Sequence, residues 1–327
     1  MTLFRRAALG GAALAVATPV LLRTRPALAQ AAPGSTQAPG FYRFKVGEFT
    51  ATVVQDGFAA RPNPLQGMVL NASPADVEAA LREAALPTQN LPNPFNVTFL
   101  ETPRGLIAFD AGTGGGQLAP TSGDMMRRNL QAAGIDPARV TLVAISHFHG
   151  DHITGLTTAE NVPVFPNAEV AVPATEWAWF TDESNAARSP EIQRSTFPNT
   201  RRRFGPYQAR LRQYQDGQEI APGVRAVAAP GHTPGHHVFH VSSGTEQLFV
   251  MADTSSRPDL FLRNPQWQSL FDFDGALATE TRRRLFGRIA DERARFTAYH
   301  FNFPSNGYVT RMGDGFRFHA AEWMSHV

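Results

Sequence analysis

The 327-residue chain contains no cysteine. That absence excludes a disulfide framework, a cysteine-ligated zinc knuckle, an iron–sulfur cluster and a thiol nucleophile together. Lysine is almost missing: Lys45 is the only one, and every other basic residue is arginine, which reads as genome base composition and not as chemistry. Charge of one sign is not in real surplus either. The formal net charge is +2, but Arg5, Arg6, Arg23 and Arg25 all lie in the first thirty residues, which hold no Asp or Glu. The remaining 26 basic against 28 acidic residues give the body of the chain no electrostatic case for nucleic acid binding. With 43% hydrophobic and 18% charged residues, a sizeable core is available and global disorder is excluded.

The first thirty residues read as an address. Arg5-Arg6 precede an uncharged stretch, Ala7 to Leu22, followed by Arg23, Arg25, Pro26 and Ala27-Leu28-Ala29. This is the order of a charged segment, an apolar segment and a small-residue cleavage site. The apolar stretch has 16 residues, short of the roughly 20 of a membrane-spanning helix. We therefore expect an export signal over 1–29. The arginine pair and the basic residues before the cleavage site point to the twin-arginine route, with a periplasmic or secreted product. Residues 30–40 form a Pro/Gly-rich linker. A single domain is expected over 41–327, and no later segment is long and apolar enough to span a membrane.

Hydrophobic patterning places the elements. Tyr42–Phe44 and Phe49–Val54 form a hairpin turned at Gly47, and Val97–Leu100 with Leu106–Phe109 a second one. Residues 58–95 look irregular apart from a helix at 74–85, opened by Ser73 as N-cap and by Pro74. Helices are expected near Asp124–Ala133, closed by Gly134, at Glu176–Asp182 and at Leu277–Ala294. Val140–Ser146 is a buried strand, with further strands within Val162–Val172 and at Val224–Ala229, Val238–Ser242 and Gln247–Met251. Strand-rich stretches thus alternate with helices twice.

The chemistry concentrates in His147-Phe148-His149-Gly150-Asp151-His152, directly after the Val140–Ser146 strand. Imidazole and carboxylate are metal ligands, and their density here exceeds what one tetrahedral ion needs. Three later loops add candidates: His232 and His236 in Pro230–His236, Asp253 in Met251–Thr254, and His300 in Ala298–Phe301. Side chains at strand ends converge on one edge of a sheet, where α/β folds build their sites. His237, His240, His319 and His326 read as structural or surface residues. The glycines of Gly114-Gly115-Gly116 suggest a mobile loop, and no Lys follows to make it a phosphate loop. The run Arg282-Arg283-Arg284 is expected on a solvated helix face and Arg201-Arg202-Arg203 in a loop.

His147-Phe148-His149-Gly150-Asp151-His152 with His232, Asp253 and His300 in that order resembles the metallo-β-lactamase superfamily, over residues 41 to about 317. Asp110 in Phe109-Asp110-Ala111-Gly112 resembles its first, non-ligand motif. The segments Ala38–Arg43, Val46–Phe49, Gly231–His236 and His300–Gly307 resemble the exported methyl parathion hydrolase-like and quorum-quenching lactonase-like branch. The resemblance implies an α/β fold, a four-layer αββα sandwich. It implies two divalent metal ions, zinc by default, with Fe, Mn or Co also accepted by such ligands. One ion would take His147, His149 and His232; the other Asp151, His152 and His300. Asp253 would bridge them, opposite a hydroxide that attacks the substrate, and Asp151 and Asp253 would be the catalytic carboxylates.

Asp110, Thr233 and His236 are expected to orient ligand imidazoles. Trp177, Trp179 and Phe180, with Phe301 and Phe303, either line an apolar pocket or pack in the core. Leu118 stands where the phosphotriesterase pattern carries an aromatic. The absence of cysteine and the presence of Asp253 set the chain apart from the β-lactamases themselves. The expected activity is hydrolysis of a lactone or carboxylic ester. Phosphotriester hydrolysis on the same centre is the alternative, and a non-catalytic metal or ligand binder or an iron redox enzyme are rivals. The expected partner is a small-molecule ester, lactone or phosphotriester. Nucleic acid and stable membrane insertion are not expected, and a homodimer is left open.

Overall fold

The computed structural model describes residues 37–327, and Ala38–Val327 forms one compact unit. The expected export signal lies outside the described residues. Two seven-stranded sheets dominate. The first runs in chain order through β1 (Phe41–Val46), β2 (Phe49–Pro62), β3 (Asn90–Thr102), β4 (Gly105–Phe109), β5 (Val140–Ala144), β6 (Glu169–Pro173) and β7 (Leu211–Tyr214). Its early strands pair antiparallel, and β4 to β7 pair parallel. The second contains β8 (Glu219–Ala221), β9 (Val224–Ala228), β10 (His237–Ser243), β11 (Glu246–Val250), β12 (Arg295–Thr297), β13 (Asn306–Met312) and β14 (Gly315–Ala320), in spatial order reversed from the chain. The helices are α1 (Pro74–Glu83), α2 (Met125–Ala132), α3 (Gly150–Ile153), α4 (Ala174–Thr181), α5 (Thr196–Phe204) and α6 (Gly275–Glu292).

Period-2 alternation sorts the side chains into layers. Leu100, Ile107, Phe109, Phe239, Val241 and Leu248 meet between the two sheets. Their neighbours Phe99, Ala108 and Val143 turn outward to pack with Leu130, Phe180, Phe197 and Phe204 from the helices over the first sheet. On the far side, Val238 and Phe249 meet Leu285, Phe286 and Ile289 of α6. The result is the αββα sandwich. Each sheet is buried on both faces, which explains why the strands read as nearly continuous apolar runs.

Three expectations need correction. The segment 58–95 is not irregular at its ends, because β2 and β3 extend as a long ribbon pairing Pro62 with Asn90 and Phe58 with Pro94. Pro92 and Pro94 argue against a strand in the sequence. They are tolerated because β4 pairs only with Thr98–Thr102, so this part of β3 has a free side that requires no N–H. Arg201-Arg202-Arg203 lie in the last turn of α5 and not in a loop. Arg282 is not on a solvated face but is 1% exposed, whereas Arg283 and Arg284 are exposed as expected. The helix expected from Leu277 to Ala294 spans α6, and β12, unforeseen, separates it from His300. Among the described residues no helix is long and apolar enough to cross a membrane.

Candidate metal centre

Four loops leave strand ends on one edge of the sandwich. His147, Phe148 and His149 follow β5 and lead into α3, which carries Asp151 and His152 in its single turn. His232 follows β9, Asp253 follows β11 and His300 follows β12. Asp110 follows β4 with φ 67°, and Ala252, next to Asp253, has φ 41°. Left-handed backbone at non-glycine residues is unusual and is held only where the surroundings fix it. These two positions aim carboxylates into the site.

The loops bring all seven expected side chains together. Donor atoms of His147, His149, His232 and Asp253 form one group, those of Asp151, His152, Asp253 and His300 a second, each within 4.8 Å of one another. Asp253 belongs to both. Its Oδ2 is 3.3 Å from His232 Nε2 and 3.0 Å from His300 Nε2, and its Oδ1 is 3.3 Å from His152 Nε2. His149 Nδ1 faces His232 Nε2 at 3.0 Å.

Partners behind the site decide which nitrogen each imidazole presents. A carbonyl only accepts, so His300 Nδ1–H donates to Pro94 O at 2.9 Å and its Nε2 is left for the centre. His152 Nδ1–H donates to Asp110 Oδ2 at 2.8 Å, and His232 Nδ1–H to Asp272 Oδ1 at 3.0 Å. The Ser146 hydroxyl donates to Asp110 Oδ2 at 2.8 Å, so its oxygen accepts from His147 Nδ1–H at 2.9 Å. His147 Nε2, His152 Nε2 and Asp253 Oδ1 are then buried with no hydrogen-bond partner among the described residues. Buried lone pairs that converge unpaired are costly unless a cation meets them. This donor set, nitrogen and carboxylate oxygen without sulfur, suits a pair of divalent ions.

Burial, and then the neighbouring imidazoles, hold His147 well below the ordinary histidine range and His149 at about 3. Burial also works against protonation of His152, His232 and His300, but the carboxylates around them prevail. His232 is raised to about 9 by Asp253 and Asp272, His300 to about 10 by Asp253 and Asp151, and His152 well above its usual value by Asp253, Asp151 and Asp110. Burial raises Asp151, yet His152 and His300 bring it down to about 2.

Of the three residues expected behind the ligands, Asp110 takes that place. His236 sits behind Asp253: its Nδ1–H donates to Ala229 O at 3.0 Å and its Nε2 accepts from Asp253 N at 3.2 Å. Thr233 is fully buried beside Glu176, and its hydroxyl reaches no ligand imidazole among the described residues. Sequence reasoning missed three residues. Asp272 holds His232 and is itself held by Arg282 at 3.4 Å; Arg282 also donates to the carbonyls of Thr254, Pro265 and Trp267. Glu176, raised to about 7 by burial, accepts from Phe148 N at 3.0 Å and Gly235 N at 2.7 Å, tying two ligand loops together. Tyr299 donates to Asp151 O at 2.6 Å. Only Glu176, the one acid beside the aromatic run Trp177-Ala178-Trp179-Phe180, offered a sequence signal.

A cavity of about 370 Å³ opens over the centre, lined by His149, Asp151, His232, Asp253 and His300 and walled by Met68, Leu91, Leu118, Ile192 and Phe271. Trp177, Trp179 and Phe180 do not line it. Trp177 and Phe180 pack on Phe148, and Trp179 on Phe273. Phe301 is buried against Phe296 and Phe318, and Phe303 packs between the sheets. Their apolar surface is taken up by the core, whereas Leu118, 47% exposed, forms part of the wall.

Residues 92–296 match the family profile of the Metallo-beta-lactamase superfamily. N-acyl homoserine lactonase AiiA of Bacillus thuringiensis subsp. kurstaki is 26% identical over 225 residues, 67% of this chain and 73% of that protein. AidC, a dizinc quorum-quenching lactonase solved with a product, superposes with TM-score 0.80 at 26% identity, covering 88% of this chain and 99% of its own. The hydrolase AbOPH of the beta lactamase superfamily superposes with TM-score 0.82 over 89% of this chain and all of its own, at 23% identity that speaks for the fold alone.

Two outcomes are expected. A metal ion and a proton compete for the same imidazole lone pair, and at neutral pH the raised values of His232 and His300 keep both protonated without metal. Metal uptake should therefore release protons and weaken as the pH falls; calorimetric titration in buffers of different ionisation enthalpy measures this, and pH-independent uptake without proton release would contradict it. Asp272→Ala should weaken metal binding about 10- to 100-fold, while Asp272→Asn, which keeps an acceptor for His232 Nδ1–H, should restore most of it. Competition with a chromophoric chelator reads both variants.

Proposed function

From the premise that the chain belongs to the metallo-beta-lactamase superfamily and is a metal-dependent hydrolase of ester bonds, we propose that it is an exported lactonase or carboxylic esterase with a dinuclear centre. The observation that carries this reading is one carboxylate, Asp253, shared by two four-residue donor groups at the floor of an apolar-walled cavity. The lactonases among its relatives support the substrate class.

In this reading His147, His149 and His232 would hold one ion, Asp151, His152 and His300 the other, and Asp253 would contribute to both. When bound, such a pair supplies Lewis acidity and an activated water at neutral pH. The chain's own residues do the rest. Asp110, Asp272, Ser146 and the Pro94 carbonyl keep the protons of four imidazoles on the outer nitrogens, so that no ligand rotates away during turnover. Asp253 and Asp151 are the catalytic carboxylates with different tasks. The Asp253 side chain is 4% exposed and fixed from three sides, which suits it to hold the centre together. The Asp151 side chain is 18% exposed and faces the cavity, where as an ionised carboxylate it can accept a proton from the attacking water and return it to the departing alcohol oxygen. Leu118, Ile192 and Phe271 take the apolar part of the substrate and exclude water.

Metal analysis, followed by lactones, aryl esters and phosphotriesters assayed on the reconstituted protein, tests the proposal. Turnover of the first two classes should exceed that of phosphotriesters, and His149→Ala or Asp253→Ala should lose both metal and at least about 10³-fold in rate. A metal-depleted Asp253→Ala protein with undiminished turnover would overturn it. For export we propose residues 1–29 as a cleaved twin-arginine signal. The mass of the protein from a bacterial periplasm should correspond to a start near Gln30, and replacing Arg5 and Arg6 by lysine should retain it in the cytoplasm. An uncleaved chain would refute the assignment.

A further inference from the structure

The walls of the cavity are apolar with one exception. Arg61, the last residue but one of β2, is the only arginine or lysine among the described residues that lines it. Among the described residues its guanidinium makes no hydrogen bond, its Nε is buried without a partner, and no carboxylate lies within ion-pair distance. Its one contact of note is with the ring of Phe271, 5.8 Å from the guanidinium carbon to the ring centre. Arg61 itself is half-buried, and the fully buried arginines are treated differently. Arg203 donates to Asn199, Gln117 and Thr157, Arg257 pairs with Asp259, and Arg282 with Asp272. A cation placed in a binding cavity without a partner is a cost to the free protein that a bound anion removes.

The remaining unpartnered side chains near it carry no positive charge to serve that anion. Gln193 Oε1 is an acceptor, with its amide nitrogen donating to Phe271 O, and suits an N–H or O–H group of the same ligand. Asn93 is neutral, its amide 3.2 Å from His300 Nδ1. Asp151 and Asp253 are enclosed by His152, His232 and His300 and would face the metal ions, which leaves Arg61 as the positive wall.

We propose that Arg61 is a specificity-determining residue that selects esters or lactones bearing a carboxylate remote from the scissile bond, with the apolar walls holding the chain between the two ends. This rests on the hydrolase reading above and narrows its substrate class. A guanidinium–carboxylate hydrogen bond in a partly buried site is worth about 10- to 100-fold in an equilibrium or specificity constant.

The test uses the metal-loaded protein with 4-nitrophenyl monoesters of adipic and suberic acid against the same esters with the far carboxylate methyl-capped. The wild type should favour the anionic member by about 10- to 100-fold in kcat/KM. Arg61→Leu should abolish that preference while changing the capped esters by less than about threefold, and Arg61→Lys should retain part of it. Raising ionic strength should narrow the preference in the wild type and not in Arg61→Leu. Equal turnover of both esters by wild type and Arg61→Leu would overturn the proposal. Calorimetric binding of the uncleaved suberic acid monoanilide separates this from the hydrolase reading. Binding that weakens about tenfold or more in Arg61→Leu, in a protein that cleaves no ester, would refute hydrolysis and keep the anion site. Binding indifferent to Arg61 would refute the anion site alone.

Discussion

A buried imidazole offers a chosen nitrogen to a ligand only if its other nitrogen keeps a proton on a fixed acceptor. The whole centre depends on that constraint being met at once for His147, His152, His232 and His300. The acceptors come from separate parts of the fold: Asp110 after β4, Ser146 after β5, the Pro94 carbonyl in β3, and Asp272 before α6. Asp110 alone serves Ser146 N, Ser146 Oγ and His152, so one carboxylate sets two ligands. The sandwich acts as a frame that brings these acceptors to fixed positions behind the strand ends.

Electrostatics and packing work together here. Asp253 and Asp151 stay ionised because protonated or metal-bound partners surround them, and the histidines nearest to them are raised for the same reason. The desolvation of these groups would be prohibitive singly and is tolerable only as a network in which every charge has a neighbour. Arg282 extends the network one layer further. It is nearly inaccessible, spends its donors on three backbone carbonyls and Asp272, and lies over the ring of Phe261. A charge near the centre is thus anchored to the packing beneath α6.

The cavity over the centre has a different logic. Its apolar residues come from the long β2–β3 ribbon, the glycine-rich loop carrying Leu118, the segment before α5, and the turn carrying Phe271. Arg61 stands on that ribbon, at the cavity wall and away from the metal-ligand loops, which fits a role in choosing substrates.

Much of this was legible in the sequence. The six-residue cluster after an apolar strand, the later His and Asp at strand ends, and the two-residue alternation of the strands are local signals, and local signals survive without coordinates. The aromatic cluster at Trp177–Phe180 stayed open between pocket and core, and Arg282 and the proline-bearing half of β3 were misleading, because their environments depend on partners far away in the chain. Trp177 and Trp179 meet Phe148, Phe204 and Phe273, Arg282 meets Asp272, and Pro94 lies on the stretch of β3 that β4 does not reach. The sequence by itself determined the ligand chemistry, which follows from residue type and short-range spacing, and the class of fold, which its motifs implied through their family resemblance. Only the tertiary structure decided which nitrogen each histidine presents, which carboxylate is shared, and which side chains face the substrate. Those depend on contacts between residues tens to hundreds of positions apart, whose geometry no local pattern encodes.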